Sequence, residues 1–473
     1  MATWFRGTIV VVAALLCAPG LSSVSRADSR DDEIEKLKKA VESMQKTIEQ
    51  QNKKIEQIEK GQAAAPPAAA QPPAAAEAEV TSPASPVTER GSLKDEQQAA
   101  PRPDDLTLDP KYRGFARIPN TKVMIKFNAK PRVDMTYDNQ NAGDDNRFIT
   151  AKIPVEGDPT KNGKPVFNIN AKGSQLRLDV RAPEIPGSPR FYYENDFYGS
   201  GGGEFPYRIR HLYGQIYNVI VGQTYSVFED PDIWPDTVDY EGPNSAIFAR
   251  RPLIRYQHRI GDDWQLNFGI EQPEAEIDTT GQPAAASGRN SAPEGGLNAR
   301  WERSGVGHVQ FASIFRDIGV RNSTLGNQDV FGWGLNLAGG FDTFGPDSVQ
   351  TQLTYGEGLF RYCNDDFQNN DAAFDKDGNL EAIPYFGGML GYTHHWSDQF
   401  RSTMSYGYVH LDNTASQAGT AYHETHYASL NVTWQLRERL SVGLEELYGY
   451  HDTKDGAHGD VYRSTVGLVY SIF

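Results

Sequence analysis

The sequence predicts an all-β fold, a transmembrane antiparallel β-barrel of about 16 strands, preceded by an N-terminal α-helical coiled coil and a disordered linker. From residue 122 onward apolar and polar residues alternate, and long and short connections between the alternating runs also alternate. After residue 27 no apolar run approaches the roughly 18 residues that a membrane helix needs. The 45 Gly, 23 Tyr and 22 Phe fit a barrel in which only every second strand residue faces lipid.

The formal net charge of the chain is −16, and no stretch concentrates basic residues. Nucleic-acid binding is therefore disfavoured, because phosphate recognition needs a basic footprint. The two cysteines, Cys17 and Cys363, cannot form a disulfide framework. Cys363 precedes Asp365 and Asp366, which oppose a thiolate, so it is interpreted as a loop residue and not as a reactive thiol.

Residues 1–27 are predicted to be a signal peptide. They contain Arg6, an apolar stretch from Thr8 to Ala18, and the small residues Ser25 and Ala27 at a cleavage position. This is the pattern of an exported protein. Leu16 directly before Cys17 fits a lipoprotein signal poorly, so no lipid anchor is expected.

Residues 31–60 are predicted to form a periplasmic coiled coil. Their apolar positions step by three and four over roughly four heptads, and they are Ile34, Leu37, Val41, Met44, Ile48, Ile55 and Ile58. So narrow a seam requires partner helices, which disfavours the alternative of a lone amphipathic helix. Leu37 favours two helices and Ile58 favours three, so the number of copies stays open.

Residues 61–113 form an Ala/Pro-rich segment that can bury no core and is predicted to be an extended linker. It would separate the coiled coil from the barrel of residues 114–473. Peptidoglycan is a candidate partner of this periplasmic part, although no residue argues for it.

The barrel prediction is clearest in the run from His426 to Leu436, where Leu430, Val432 and Trp434 alternate with polar residues. If the N-terminus is periplasmic, the third long connection, residues 228–248, is the extracellular loop expected to fold inward. The final strand poses a problem, because Phe473 has the opposite parity to Leu468. Either the last residue is bulged or the outward face is misassigned.

Residues 222–256 are expected to build the narrowest point of a pore. In the strand after the loop, Arg251 and Arg255 share one face, while Ile254 and Tyr256 share the other. The predicted constriction loop contributes Glu229, Asp230, Asp232, Trp234, Asp236, Asp239, Tyr240 and Glu241.

Six arginines, two on one face of each of three predicted strands near the inward-folding loop, are predicted to line the pore: Arg177, Arg181, Arg208, Arg210, Arg251 and Arg255. A guanidinium group can donate two parallel hydrogen bonds to a carboxylate solute. The alternative is that the arginines pair with wall carboxylates such as Glu194 and Asp196 and only rigidify the barrel. The loop acids could oppose the arginines across the pore or form a cation-preferring filter, and both readings stay open.

Several motifs carry a family resemblance. GQTYSVFEDPD, WPDTVDYEGPN and RRPLIRY within residues 222–256 resemble the signature region of the DcaP-like trimeric outer-membrane porin family. GFARIPNT at 114–121, SQLRLDVRAP at 174–183 and RIRHLYGQIYNVIVGQTYS at 208–226 are similar to that family as well. The resemblance implies a homotrimer in the outer membrane that takes up small anionic solutes such as dicarboxylates by passive diffusion, without a cofactor.

No catalytic or metal-binding motif is evident. The segment from Asp375 to Glu381 lacks the spacing of a calcium loop, and His394 and His395 lack further ligands. The sequence therefore predicts a porin and not an enzyme, with outer-membrane lipid, other copies of itself and small anionic solutes as partners. The alternatives are a structural anchor to the cell wall and, less favoured, a barrel enzyme with scattered catalytic groups. A porin conducts, an enzyme turns over substrate, and an anchor cofractionates with the wall.

Overall fold

The computed structural model describes residues 114–281, 286–321, 326–365 and 370–472. The predicted signal peptide (1–27), coiled coil (31–60) and linker (61–113) lie outside the described residues, as does Phe473. For the described residues, the prediction of an all-β fold built on a large antiparallel sheet is confirmed. No helix among the described residues has the length and apolar character needed to cross a membrane.

The strands are β1 Ala116–Arg117, β2 Met124–Lys130, β3 Arg132–Asp138, β4 Val166–Asn170, β5 Gln175–Arg181, β6 Arg190–Asp196, β7 Arg208–Ile216, β8 Val219–Tyr225, β9 Arg250–Ile260, β10 Trp264–Glu271, β11 Ile277–Asp278, β12 Ser287–Arg289, β13 Glu294–Arg303, β14 Gly307–Arg321, β15 Gln328–Asp342, β16 Ser348–Glu357, β17 Ala372–Phe374, β18 Leu380–Ala382, β19 Pro384–His395, β20 Phe400–Leu411, β21 Tyr422–Arg437, β22 Leu440–Thr453 and β23 His458–Tyr470. Among the described residues, three 3-10 helices span Thr150–Lys152, Pro231–Ile233 and Phe360–Tyr362.

In the part of the chain that the structure describes, the main sheet is closed on itself and contains twenty strands, more than the predicted number. Neighbouring strands of the ring pair antiparallel, beginning with β2 and β5. β23 pairs with β3 and so completes the ring. The number is higher because some positions in the ring hold two strands. Pro131, which has no N–H to donate, separates β2 from β3, and residues 171–174 separate β4 from β5. β12 and β13 likewise both pair with β14.

Side chains alternate between the two faces of the closed sheet. On β23, Leu468 and Tyr470 are 40% and 43% exposed, while Thr465 and Val469 are buried. The outward face of the last strand was therefore assigned correctly, and misassignment does not explain the parity of Phe473. The outward side chains at mid-strand are mostly large and apolar, as in the lipid-facing belt of a membrane barrel.

Leu353, at the centre of β16, is 53% exposed and belongs to this outward belt. We expect Leu353→Arg to lower the free energy of unfolding in lipid vesicles by about 2–4 kcal/mol, the cost of a cation on a lipid face. Phe344→Arg, in the exposed turn between β15 and β16, is the control and should cost much less. Urea titrations followed by tryptophan fluorescence would measure both. Equal losses in the two variants would contradict a lipid-facing β16.

Apolar side chains fill part of the interior. The largest buried cluster joins the inner faces of β14 and β19–β21 to three long connections, residues 139–165, 226–249 and 358–383. Its bulkiest members are Phe228, Phe360, Tyr362, Tyr385 and Tyr422. The connections therefore pack into the ring on that side, whereas the inner faces of β5–β9 carry mainly charged and polar groups.

Candidate pore constriction

The connection between β8 and β9, residues 226–249, is hereafter the inward loop. Most of its residues are buried against the inner wall. Side-chain amides on β13, β14, β15, β16 and β21 donate hydrogen bonds to backbone carbonyls of the inward loop. These bonds join Asn298 to Val227 at 2.7 Å, Gln310 to Glu229 at 3.0 Å, Asn336 to Phe228 at 3.0 Å, Gln352 to Ser245 at 2.9 Å and Asn431 to Asp236 at 2.8 Å. The expected inward folding therefore occurs.

Wall glycines make room for this loop. A Cβ atom at Gly391 on β19 would lie 2.6 Å from Pro235 Cγ, and one at Gly467 on β23 would lie 2.8 Å from Val238 Cγ1. Both separations are far shorter than a van der Waals contact. The sequence of the wall, as well as that of the loop, therefore determines the path of the inward loop.

Three predicted constriction acids pair with cations that the sequence analysis did not select. Asp230 contacts Arg300 and His308, both at 2.9 Å. Although burial alone would raise the pKa of Asp230, the charges of His308 and Arg300 lower it. Asp232 also contacts Arg300, at 2.8 Å, and Asp236 pairs with Arg401 on β20. Of the two arrangements that the sequence left open for these acids, the loop places these three against β13, β14 and β20.

Four other predicted loop residues are held within the loop or against residues 139–165. The contacts are Glu229 Oε2 with Ala249 N at 2.9 Å, Trp234 with Phe248 at 5.1 Å between ring centroids, Asp239 Oδ2 with Gly242 N at 2.7 Å, and Glu241 with Arg147 at 3.5 Å. Burial raises the pKa of Glu229. These side chains stabilise the shape of the loop.

Tyr240 joins the inward loop to the charged wall. Its hydroxyl donates to Asp196 Oδ2 at 2.7 Å and accepts from Arg210 Nη1 at 2.8 Å. Its ring packs against the ring of Tyr198 at a tilt of 31°, with centroids 4.7 Å apart. Arg132 lies 5.1 Å from the centre of the ring, within range of a cation–π contact. Tyr240 is thus the loop residue that reaches the predicted basic lining.

The six predicted lining arginines lie on the inner faces of β5, β7 and β9. Five of them form ion pairs, some of them across strands as the sequence analysis allowed. The pairs are Arg177–Glu194 at 3.3 Å, Arg181–Asp179 at 2.8 Å, Arg208–Asp196 at 2.6 Å, Arg210–Glu194 at 2.6 Å and Arg251–Glu274 at 3.9 Å. Arg255 donates to the carbonyl of Tyr225 at 3.4 Å and has no described carboxylate at ion-pair distance.

Sequence reasoning missed two arginines of the same wall. Arg190 pairs with Asp179 at 2.9 Å, and it shares the parity of Tyr192 and Glu194, which could have identified it. Arg250 lies 4.4 Å from the ring centre of Phe248 and, among the described residues, has no carboxylate at ion-pair distance. Arg250 stands at the first position of β9, where alternation gives no signal.

The wall β5–β9 therefore carries a cationic excess. Its buried and half-buried inward side chains comprise eight arginines and three carboxylates. The arginines are Arg177, Arg181, Arg190, Arg208, Arg210, Arg250, Arg251 and Arg255, and the carboxylates are Asp179, Glu194 and Asp196. We refer to this set as the arginine wall.

Two polar junctions hold the long connections in place. Arg316 on β14 contacts Glu294 at 3.0 Å and Asp371 at 2.8 Å, and donates to the carbonyl of Glu274 at 2.8 Å. Asp365 is buried and joins residues 358–383 to residues 139–165 and to β21. Neither junction was anticipated, because its members are far apart in sequence.

The residues considered as metal ligands make contacts that stabilise turns. Asp375 Oδ1 accepts from the N–H groups of Asp377 and Asn379, both at 2.8 Å, in the turn between β17 and β18. His394 contacts Asp347 at 2.7 Å. In the part of the chain that the structure describes, no group of three His, Cys, Asp or Glu residues could hold a metal ion. Cys363 is buried, and its Sγ donates to the carbonyl of Asn244 at 3.1 Å.

Comparison with known proteins adds to this picture. A family model described as DcaP outer membrane protein matches residues 114–471. The outer membrane channel DcaP of Acinetobacter baumannii is similar in fold, with 22% identity, a TM-score of 0.63, and coverage of 74% of this chain and 97% of that one. The anion-selective porin of Comamonas acidovorans shares 12% identity over 74% of this chain and 100% of that one, with a TM-score of 0.47. No curated protein matches. The chain therefore belongs to the DcaP outer membrane protein family, and it is an outer-membrane channel and not an enzyme.

Proposed function

We propose that the channel is water-filled and prefers small anions, with dicarboxylates as its solutes. The observation that carries this proposal is the arginine wall, whose eight arginines outnumber its carboxylates. Charged side chains around a pore select ions by sign, so the excess favours anions. The opposite interior is filled by apolar packing, and the inward-loop acids Asp230, Asp232 and Asp236 are neutralised by their own partners.

The arginines also follow the strands through the ring. Arg208 begins β7 next to the long connection 197–207, whereas Arg181 and Arg190 flank the short turn 182–189 at the other end. Arg210 and Arg250 lie between these ends. A solute carboxylate could pass from one guanidinium fork to the next, each donating paired hydrogen bonds, while water keeps its release fast. Two carboxylates on one solute would engage two forks at once.

Reversal potentials in planar bilayers under a KCl gradient test the proposal. We expect the wild type to prefer chloride, and Arg250→Gln/Arg255→Gln to reduce the chloride-to-potassium permeability ratio roughly two- to fourfold, as expected for two charges about 10 Å from the ion path. Because neither arginine has a described carboxylate partner, this variant leaves no ion pair broken.

Arg303→Gln is the matched control. Arg303, at the exposed end of β13, pairs with Asp263 in the turn between β9 and β10, and its replacement should not change the permeability ratio. Potassium preference in the wild type would contradict the proposed anion preference and would favour the inward-loop acids as a cation filter.

We also propose that the protein is a homotrimer joined through the barrel and the predicted coiled coil, with residues 61–113 as a periplasmic linker and residues 1–27 as a signal peptide. The family resemblance and the heptad pattern of residues 31–60 support this arrangement. Single-channel currents that close in three equal steps would support three pores per particle. One closing step would argue against a trimer. The alternative of a cell-wall anchor has no support among the described residues.

A further inference from the structure

Two buried carboxyl groups hold the two ends of the inward loop. Glu271, at the end of β10, accepts from Val227 N at 2.6 Å. Glu229, within the loop, accepts from Ala249 N at 2.9 Å. Both residues are 2% exposed. The backbone where the loop leaves β8 and the backbone where it enters β9 thus each depend on one carboxyl group.

The same two groups lie beside the arginines of β9. Glu271 stands directly opposite Leu253 in the pairing of β10 with β9. Arg251 and Arg255 flank Leu253 on the same face, so they are the diagonal neighbours of Glu271, about 7–8 Å away across the strands. Glu229 binds the N–H of Ala249, the residue that precedes Arg250.

The carboxyl groups of Glu229 and Glu271 are not paired with a cation among the described residues. Within the described part of the chain, Glu229 and Glu271 form no ion pair. One oxygen of each, Oε1 of Glu229 and Oε2 of Glu271, has no hydrogen-bond donor among the described residues. A buried carboxylate with an oxygen left unsolvated is costly, whereas the protonated group is tolerated.

We propose that Glu229 and Glu271 are titratable counter-charges for the β9 arginines, so that pH sets the strength of the channel's anion preference. This inference rests on the proposed anion preference and assigns its regulation to two residues outside the arginine wall. While both groups are protonated, Arg250 and Arg255 have no described carboxylate at ion-pair distance, and Arg251 has only Glu274, at 3.9 Å. Once both groups ionise, two negative charges oppose those three arginines.

The direction of the effect follows from the surroundings. Burial is the main cause that raises the pKa of Glu229, and the nearby acids raise it further, while Arg250 opposes the shift. The charged and titratable groups around the pair are Tyr225, Asp230, Arg250, Arg251, Arg255, Glu294 and Tyr362. A raised pKa means that the group is neutral at acidic pH and ionises as pH rises through the folded-state pKa. Anion preference should therefore be strongest at acidic pH and weaken towards alkaline pH.

The test is the reversal potential of the full-length channel in neutral-lipid bilayers under a KCl gradient at pH 5, 7 and 9. We expect the chloride-to-potassium permeability ratio of the wild type to fall roughly two- to fourfold across this range. Glu229→Gln/Glu271→Gln should keep the acidic value at every pH, because glutamine preserves the acceptor oxygen and cannot ionise. Histidine ordinarily titrates near pH 6.5 and is mostly neutral from pH 7 upward, so the change between pH 7 and pH 9 is the one to compare between the wild type and the double variant.

Two controls keep the result interpretable. Glu381→Gln, at an exposed position on β18, should retain the full pH dependence. Each single variant, Glu229→Gln or Glu271→Gln, should retain about half of it, which provides a reading if the double variant folds poorly.

A wild-type ratio that does not change with pH, or a pH dependence that survives in the double variant, would overturn this inference and leave the anion preference intact. Potassium preference at every pH would overturn the proposed function itself. The two failures are therefore distinguishable in one set of recordings.

Discussion

Replacing Arg316 by methionine is expected to lower the free energy of unfolding by about 3–5 kcal/mol, the usual cost of removing one member of a buried ion pair. Arg316 is 2% exposed and contacts two buried carboxylates, Glu294 and Asp371. Methionine has a similar length but leaves both acids without this cation. Urea titration, followed by the different gel mobility of folded and unfolded barrels, would measure the loss.

The matched control for this variant is Arg289→Met. Arg289 pairs with Asp329 at a more exposed position, where an ion pair contributes about 0–1 kcal/mol. The triple variant Arg316→Met/Glu294→Gln/Asp371→Asn should recover part of the loss, since it removes the unpaired charges. A loss in Arg316→Met as small as that of the control would contradict a buried junction.

Replacing Asp365 by leucine should cost about 3–5 kcal/mol as well, because an unsatisfied buried donor costs about 1–3 kcal/mol and several are left at once. The groups that donate to the Asp365 carboxylate are Thr150 Oγ1 at 2.7 Å, Ala151 N at 2.9 Å, Tyr422 OH at 3.1 Å and Thr425 Oγ1 at 2.8 Å. Residues 139–165 should then become more sensitive to protease, which limited digestion of the folded protein would show.

Asp365→Asn keeps one acceptor oxygen and should lose less stability than Asp365→Leu. Asp375→Asn, in the exposed turn between β17 and β18, should change neither stability nor digestion. If Asp365→Leu left residues 139–165 as resistant as in the wild type, the Asp365 junction would not be what holds that connection.

The repetitive part of the fold was accessible from the sequence. Residues such as Leu430 and Val432 alternate with polar neighbours because one face of each strand meets lipid, and this pattern located the strands and their outward sides. The interruptions were less accessible. Pro131 could signal a break, but the separation of β4 from β5 at residues 171–174 depends on how those strands pair with β3 and β2.

The sequence predicted which residues belong to the candidate site but not which of them form ion pairs with one another. Parity placed Arg177 and Arg251 on the inner face, and the Pro- and Asp-rich composition marked the inward loop. Which acid meets which arginine depends on strand stagger and on the path of the loop, neither of which leaves a local pattern. Asp230 therefore reaches Arg300, 70 residues away, and not an arginine of the arginine wall.

The amide bonds that seat the inward loop also imply an order of assembly. Asn298, Asn336, Gln352 and Asn431 belong to β13, β15, β16 and β21, so the inward loop meets all of them only once the sheet has curved into its ring. Closure requires Asp138 to meet Arg463, which is 325 residues later in the chain, and contacts so distant in sequence form slowly. The inward loop should thus be the last segment to become ordered, and the bore of the channel is set at the end of folding and not at its beginning.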